Sequence, residues 1–284
     1  MGLVIVSNVR ARGLPFLEKD GLLYGAKDAN QLFDVARPDC FPRQGASSNG
    51  ESVMNLSRLG SAGRIAAASG VVLGFSGRGI DLEGVTTVPA GVVLPGNPLA
   101  TLNQEQNFLI CGYFKIPTIA QWVTGSGASQ AIVGDATVVG NANNQKQLMR
   151  IELVSVGSDA NRARIWFRRQ TALGQVFDDL TFDAADIPHG EVAQLAMWRT
   201  ADGVFAQIRS ASKRAMRSRT RGANNSVDLT DCQPLFGRTG VTSVQASHHR
   251  VYRGFFEDLG ASGRDPISVL EDDWARVTRQ NLYS

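Results

Sequence analysis

Histidine and cysteine are the scarcest chemistry-bearing residues of this 284-residue chain, with three of each. The histidines, His189, His248 and His249, leave almost no material for a Ser-His-Asp triad or a three-histidine zinc site. Cys40, Cys111 and Cys232 are odd in number and far apart, which argues against a disulfide framework and a Cys-x-x-Cys metal site. They are expected to be reduced thiols. Nothing approaches the ~18 consecutive apolar residues of a membrane span, so no membrane insertion is expected. The opening "MGLVIVSNVRARGLPF" has a short apolar run with no basic segment before it, so no signal peptide is expected and folding is assigned to a cytosol. Charge is thin too: Asp, Glu, Lys and Arg make up 19% of the residues and the net charge is only +3, which does not make a polycation built to coat nucleic acid.

Apolar residues, at 43%, are enough for a substantial core, and 30 glycines with many Ser, Thr and Asn residues point to frequent turns. Segment by segment the text reads as strands. "VVLGFSGRGIDL" (71–82) reads as two short strands around a Gly-rich turn. "NFLICGYFKI" (107–116) is apolar at odd and even positions alike, the mark of a central strand covered on both faces. "LMRIELVSV" (148–156) precedes "RARIWFRR" (162–169), whose alternation sends Ala163, Ile165 and Phe167 inward and Arg162, Arg164, Trp166 and Arg168 to the other face. Further strands are expected at 176–182, 191–200, 204–210, 213–219 and 249–256, with the hairpin dipeptide Asp202-Gly203 between two of them. Short strands at this spacing indicate an antiparallel sandwich.

The tail changes period. Asp265 suits a helix cap and Pro266 the first helical position, while Val269, Leu270, Trp274 and Val277 recur at helical spacing. A short C-terminal helix docked on the sheets is expected. At the other end, Gly-, Pro- and Ser-rich text suggests an extended N-terminal arm over residues 1–35, with the sandwich occupying 36–284.

"CFPRQGASSNGES", "MNLSRLGSAGRI" and "GRGIDLEGV" follow one another in an order that resembles the concanavalin A-like lectin/glucanase jelly roll, especially the laminin-G-like domains of bacteriophage structural proteins. "HGEVAQLAMWRTADGVFAQI" and "VYRGFFEDLGASGRDPISVLEDDW" look like the late strand pair and the closing strand and helix of that family. The resemblance runs from Val35 to Thr278 and implies an all-β antiparallel jelly-roll sandwich. It also implies a non-enzymatic virion protein of a tailed phage: a tail, fibre or baseplate component that contacts host surface glycan. The arm would attach it to other virion proteins or to a homotrimer axis. A capsid decoration protein and a free-standing glycan-binding or glycan-cleaving protein are the alternatives.

Glycosidases on this fold resemble one another in a Glu-x-Asp-x-x-Glu strand whose alternate carboxylates share a cleft, and the chain contains no such strand. No cofactor is expected. In "FDDLTFDAAD", Asp179, Asp183 and Asp186 could share a calcium loop, but the spacing departs from an EF-hand and lacks its glycine, so a solvated turn is the simpler expectation. Arginine is the more suggestive residue. "KRAMRSRTR" places Arg217, Arg219 and Arg221 on one face of a strand, and with Arg162, Arg164, Trp166 and Arg168 they would form a basic patch with one aromatic. Guanidinium forks suit carboxylate, sulfate or phosphate, and an indole can stack on a sugar face. The plainer expectation is that these arginines solvate a sheet face or meet acidic residues of a neighbouring subunit. Nucleic acid fits less well, because the patch lacks repeated aromatics.

Overall fold

The computed structural model describes residues 20, 22, 26, 30–56, 62–86, 89–94, 98–99, 102, 105–123, 129–137, 148–154, 163–172, 176–226, 228–230, 232–238, 248–280 and 283. Residues 3–6, an apolar run whose sequence suits a short strand, lie outside them. The strands are β1 (Asn30–Asp34), β2 (Ser47–Ser48), β3 (Ser52–Val53), β4 (Gly63–Ala66), β5 (Val72–Ser76), β6 (Gly79–Asp81), β7 (Ala90–Val93), β8 (Phe108–Lys115) and β9 (Ser129–Thr137). They continue with β10 (Met149–Val154), β11 (Arg164–Ala172), β12 (Val176–Asp183), β13 (Val192–Arg199), β14 (Val204–Arg209), β15 (Arg214–Arg219), β16 (Cys232–Arg238) and β17 (Arg250–Asp258). Among the described residues three α-helices accompany them: α1 (Ile119–Val123), α2 (Leu259–Ser262) and α3 (Pro266–Arg279).

The strands form an antiparallel, all-β sandwich. One sheet runs β15-β14-β13-β8-β17-β6-β5-β2, with β1 also on β17; the other runs β12-β11-β10-β9-β16-β7-β4-β3. The chain crosses between layers from β7 to β8 and again from β16 to β17, and β7 pairs with β16 while β8 pairs with β17. A two-stranded ribbon thus folds over from one sheet to the other, which is jelly-roll winding.

β8 occupies the centre of its sheet, between β13 and β17, and seven of its eight residues are buried. Its inner face meets Phe236 of β16. There Gly112 and Gly254 sit side by side because nothing larger fits: a Cβ on Gly254 would lie 2.5 Å from the Phe236 ring, and one on Gly112 2.5 Å from the Phe114 ring. Phe33 closes the same nest, its ring 5.2 Å from that of Phe236.

The outer face of β8 is covered by α3. Asp265 caps this helix, accepting a hydrogen bond from the Ser268 amide at 2.8 Å, and Pro266 opens it. Val269, Leu270, Asp273 and Val277 form its buried face, and Trp274 stacks on Tyr113 of β8 with ring centroids 6.3 Å apart. No helix among the described residues is long and apolar enough to cross a membrane.

The N-terminal segment departs from expectation. Residues 30–34, read from the sequence as part of the arm, are strand β1, paired in register with β17 from Asn30↔Glu257 to Asp34↔Arg253. Leu32, Phe33 and Val35 are in the core. Apolar burial and a free strand edge outweigh the polar look of the segment, so the sandwich starts before residue 36.

Candidate functional site

The arginines singled out in the sequence do not form an open basic face. On β11, Arg164, Trp166 and Arg168 do share the outward face, with Ile165 and Phe167 buried behind them. Antiparallel register then sets them opposite the acidic residues of β12: Arg164 faces Asp183 and Arg168 faces Asp179. Arg164 Nε lies 2.7 Å from Asp183, and Arg168 grips Asp179 with two bonds of 2.9 and 3.1 Å while its guanidinium sits 4.9 Å from the centre of the Trp166 ring. From β15, Arg217 pairs with Asp186 at 2.6 Å and Arg219 with Asp178 at 3.2 Å; just beyond it, Arg221 pairs with Glu105 at 2.5 Å. Asp178 also takes Arg169 at 2.7 Å, so one carboxylate ties β11 to β15 across the two layers. Arg162 lies outside the described residues.

Arg164 and Arg168 therefore tie β11 to its neighbour β12, and Arg217 and Arg219 tie β15 of the other sheet to the β12 side. Asp179, Asp183 and Asp186 each accept from a different arginine. Among the described residues no group of three His, Cys, Asp or Glu side chains stands close enough to hold a metal ion.

A second charged cluster, unforeseen in the sequence, lies beneath α3. Arg253 of β17 is buried and donates to Asp273 at 3.0 and 2.7 Å, to Asp20 at 2.9 Å and to Asp34 at 3.2 Å. The Tyr283 hydroxyl donates to Asp34 at 3.0 Å. Burial pushes the Asp34 and Asp273 carboxyls above the usual range, and Arg253 only partly offsets it. At Asp20 burial acts in the same direction, but Arg253 and the Leu22 amide outweigh it and hold the carboxyl below that range. The signal in the sequence was a lone arginine inside the apolar run "VYRGFFED".

Beside this cluster the surface opens into two adjoining pockets with Lys115 between them. Lys115 ends β8, and register sets Val192 of β13 on one side of it and Arg250 of β17 on the other. On the β13 side is a pocket of about 350 Å³ whose walls include Tyr113, Glu191, Val192, Trp274 and Tyr283. Its aromatic wall is held firmly. Tyr113 accepts from Gln194 at 2.9 Å, Tyr283 packs on Tyr113 with centroids 5.5 Å apart, and the Arg209 guanidinium lies 4.7 Å from the Trp274 ring centre.

On the β17 side is a polar pocket of about 230 Å³, lined by Asp81, Glu83, Gln121, His249 and Arg250 among others. Arg250 donates to Asp81 at 3.0 Å, and Gln121 donates to Glu83 at 3.2 Å. Burial, reinforced by the nearby Arg238 charge, pushes the His249 imidazole down to about 3, so it is neutral at physiological pH. The two pockets present an apolar ring-bearing wall and a dense set of hydrogen-bonding groups along one groove.

No protein-family model matches the sequence, and no curated protein matches it. Solved structures of similar arrangement include a Trypanosoma rangeli sialidase in complex with 2,3-difluoro-KDN (TM-score 0.45, 12% identity, 82% of this chain and 31% of that one). They also include tailspike protein 2 of an Escherichia coli O157:H7 bacteriophage (0.39, 17%, 65% and 24%) and lectin II from Ulex europaeus (0.42, 11%, 69% and 89%). The chain thus spans less than a third of the sialidase and about a quarter of the tailspike.

Proposed function

We propose that the chain is a non-enzymatic structural component of a tailed-phage virion, in the tail, fibre or baseplate, whose sandwich holds host surface glycan in the groove on either side of Lys115. The groove carries this reading. A saccharide presents apolar ring faces and hydroxyl edges together, and the paired pockets offer an aromatic wall for the first and donors and acceptors for the second. The ordered segments that resemble phage laminin-G-like domains supply the virion context, which rests on analogy of sequence pattern.

Binding without cleavage fits the state of two carboxylates of the groove, Asp81 and Glu191. Asp81 is engaged by Arg250 and by the Ser76 hydroxyl, and Glu191 by the hydroxyl and amide of Ser212. Hydrogen bonding holds both below their ordinary range despite the opposing effect of burial, so they stay ionised acceptors at neutral pH and are poor proton donors. Assembly through a homotrimer and attachment to neighbouring virion proteins belong to the same proposal.

The test is a host-polysaccharide binding screen with the full chain, read by tryptophan fluorescence, alongside an assay for released reducing sugar and light scattering for mass. Saturable binding that Trp274→Ala abolishes, without sugar release, is expected. Release of sugar would refute the non-enzymatic part, and a monomeric mass would refute the trimer.

A further inference from the structure

The ion cluster beneath α3 is short of positive charge. Arg253 stands at its centre and faces Asp20, Asp34 and Asp273, none of them more than 9% exposed. Its Nη1 alone bonds Asp20 at 2.9 Å and Asp34 at 3.2 Å, so those carboxylates lie no further apart than the two bonds reach. Arg37 also approaches Asp20, at 3.5 Å, but its fork holds Asp39 at 3.0 and 2.5 Å. Tyr113, Tyr283 and Cys111 complete the surroundings; burial pushes all three well above their ordinary range, so they stay protonated. Asp273 receives both of its bonds from Arg253 on Oδ1. Its Oδ2 is buried without a bond of ordinary geometry among the described residues, while the Tyr113 hydroxyl is close enough to act on its pKa.

We infer that this cluster is a latch that tightens in mild acid: as pH falls, the Asp34–Asp273 pair takes up one proton, and α3, which carries Trp274, then holds more firmly to the sandwich. With all three carboxylates ionised, negative charge is in excess in an apolar setting. One proton leaves Arg253 facing two carboxylates, and on Asp273 Oδ2 it is a hydrogen that Tyr113 can accept. Burial raises both carboxyls in the fold, and detachment of α3 would restore them to water. The docked state therefore gains as pH falls through their folded values, and that gain is lost as pH rises through them. The other acids of α3 do not share this response. Asp272 is exposed, Arg209 holds Glu271 below its ordinary range, and Ser268 does the same for the capping Asp265. Trp274 and Tyr283 line the larger pocket, so its aromatic wall becomes firmer with the helix. The latch needs no ligand and stands whether or not the groove takes a glycan.

The experiment is an NMR titration of the full chain without ligand, from about pH 7 to about pH 4. Aspartate Cγ resonances report each carboxyl, and amide exchange reports the protection of α3 relative to β8, a ratio in which the intrinsic pH dependence of exchange cancels. Asp34 or Asp273 is expected to take its proton at higher pH than the exposed Asp202, with α3 protection rising severalfold over the same interval. Asp273→Asn, which keeps the shape of the protonated side chain, is expected to hold high protection throughout. If neither carboxyl titrates above Asp202, the latch has no proton and the inference is overturned. If one does and α3 protection stays flat, the proton is not coupled to the helix and the inference is overturned as well. Both readouts come from the wild type, so they decide the matter even where Asp273→Asn fails to fold.

Discussion

Replacing Arg253 with Met keeps an unbranched stem of similar reach and removes the charge that three buried carboxylates share. Asp34 and Asp273 are fully buried, Asp20 nearly so, and all three contact this one guanidinium. Without it each must stay charged in an apolar setting or take up a proton. Breaking a buried pair in this way costs about 3–5 kcal/mol, a large part of the ~5–15 kcal/mol that stabilises an ordinary domain. The sign with pH follows from the direction of the shifts. Asp34 and Asp273 are raised even with Arg253 present, and its loss would raise them further and lift Asp20 as well. A carboxyl raised in the fold contributes stability below its unfolded value, and that contribution is lost as pH rises through the folded one. The deficit of the variant should therefore be greatest at neutral pH and shrink towards about pH 4. Urea unfolding of both proteins, followed by tryptophan fluorescence at the two pH values, reads it directly. A deficit below about 1 kcal/mol, or one independent of pH, would refute the account of Arg253 as the shared counter-ion.

Three further outcomes are expected. His249 has a folded pKa depressed to about 3, so stability should decline as pH falls from about 6.5 through that value, and His249→Phe should flatten the slope in denaturant titrations across that range. Gly254→Ala forces a methyl against the Phe236 ring and should cost about 1–3 kcal/mol or more; pairing it with Phe236→Leu should recover part of the loss in a double-mutant cycle, and strict additivity would refute the contact. Removing residues 1–35 deletes β1 with its buried Leu32 and Phe33, and the buried Val35 that follows it, on the order of 5–9 kcal/mol of apolar burial, and should leave no cooperative thermal transition. Removing residues 1–19 retains Asp20 and β1 and should leave the transition in place.

What the sequence disclosed depended on whether a signal was local. β8, β11, the turn at Asp202-Gly203 and the cap of α3 are written in consecutive residues, and each was legible. β16 was not: "CQPLFGR" carries Pro234 and Gly237, which disguise a strand, yet Leu235 and Phe236 are wholly buried between β7 and β9. β1 has five residues of mixed polarity and is a strand because β17 offers it an edge. Arg164, Trp166 and Arg168 share one side of β11, as alternation implies, but their acidic partners depend on the register with β12, which no count along the chain reveals. Lys115 looked like the end of an apolar run. Only the pairing of β8 with β13 and β17 puts Val192 and Arg250 on either side of it.

The ion cluster under α3 bears on the groove in a way its energy alone does not explain. Swapping a buried charge cluster for well-packed apolar side chains is often neutral or stabilising, so Arg253 and its three carboxylates need not be present for stability. An apolar contact between α3 and β17 would tolerate sliding, whereas a planar fork whose Nε, Nη1 and Nη2 all meet carboxylate oxygens at 2.7–3.2 Å fixes both position and rotation. Asp20 and Asp34 come from the start of the sandwich, Asp273 from α3, and Tyr283 reaches the same cluster from beyond α3. Trp274 follows Asp273 directly, and Tyr283 packs on Tyr113 and Tyr252 while lining the larger pocket. The aromatic wall beside Lys115 is thus set by a charge cluster that no groove ligand would touch, and its shape depends on Asp20, Asp34 and Tyr283 being in place.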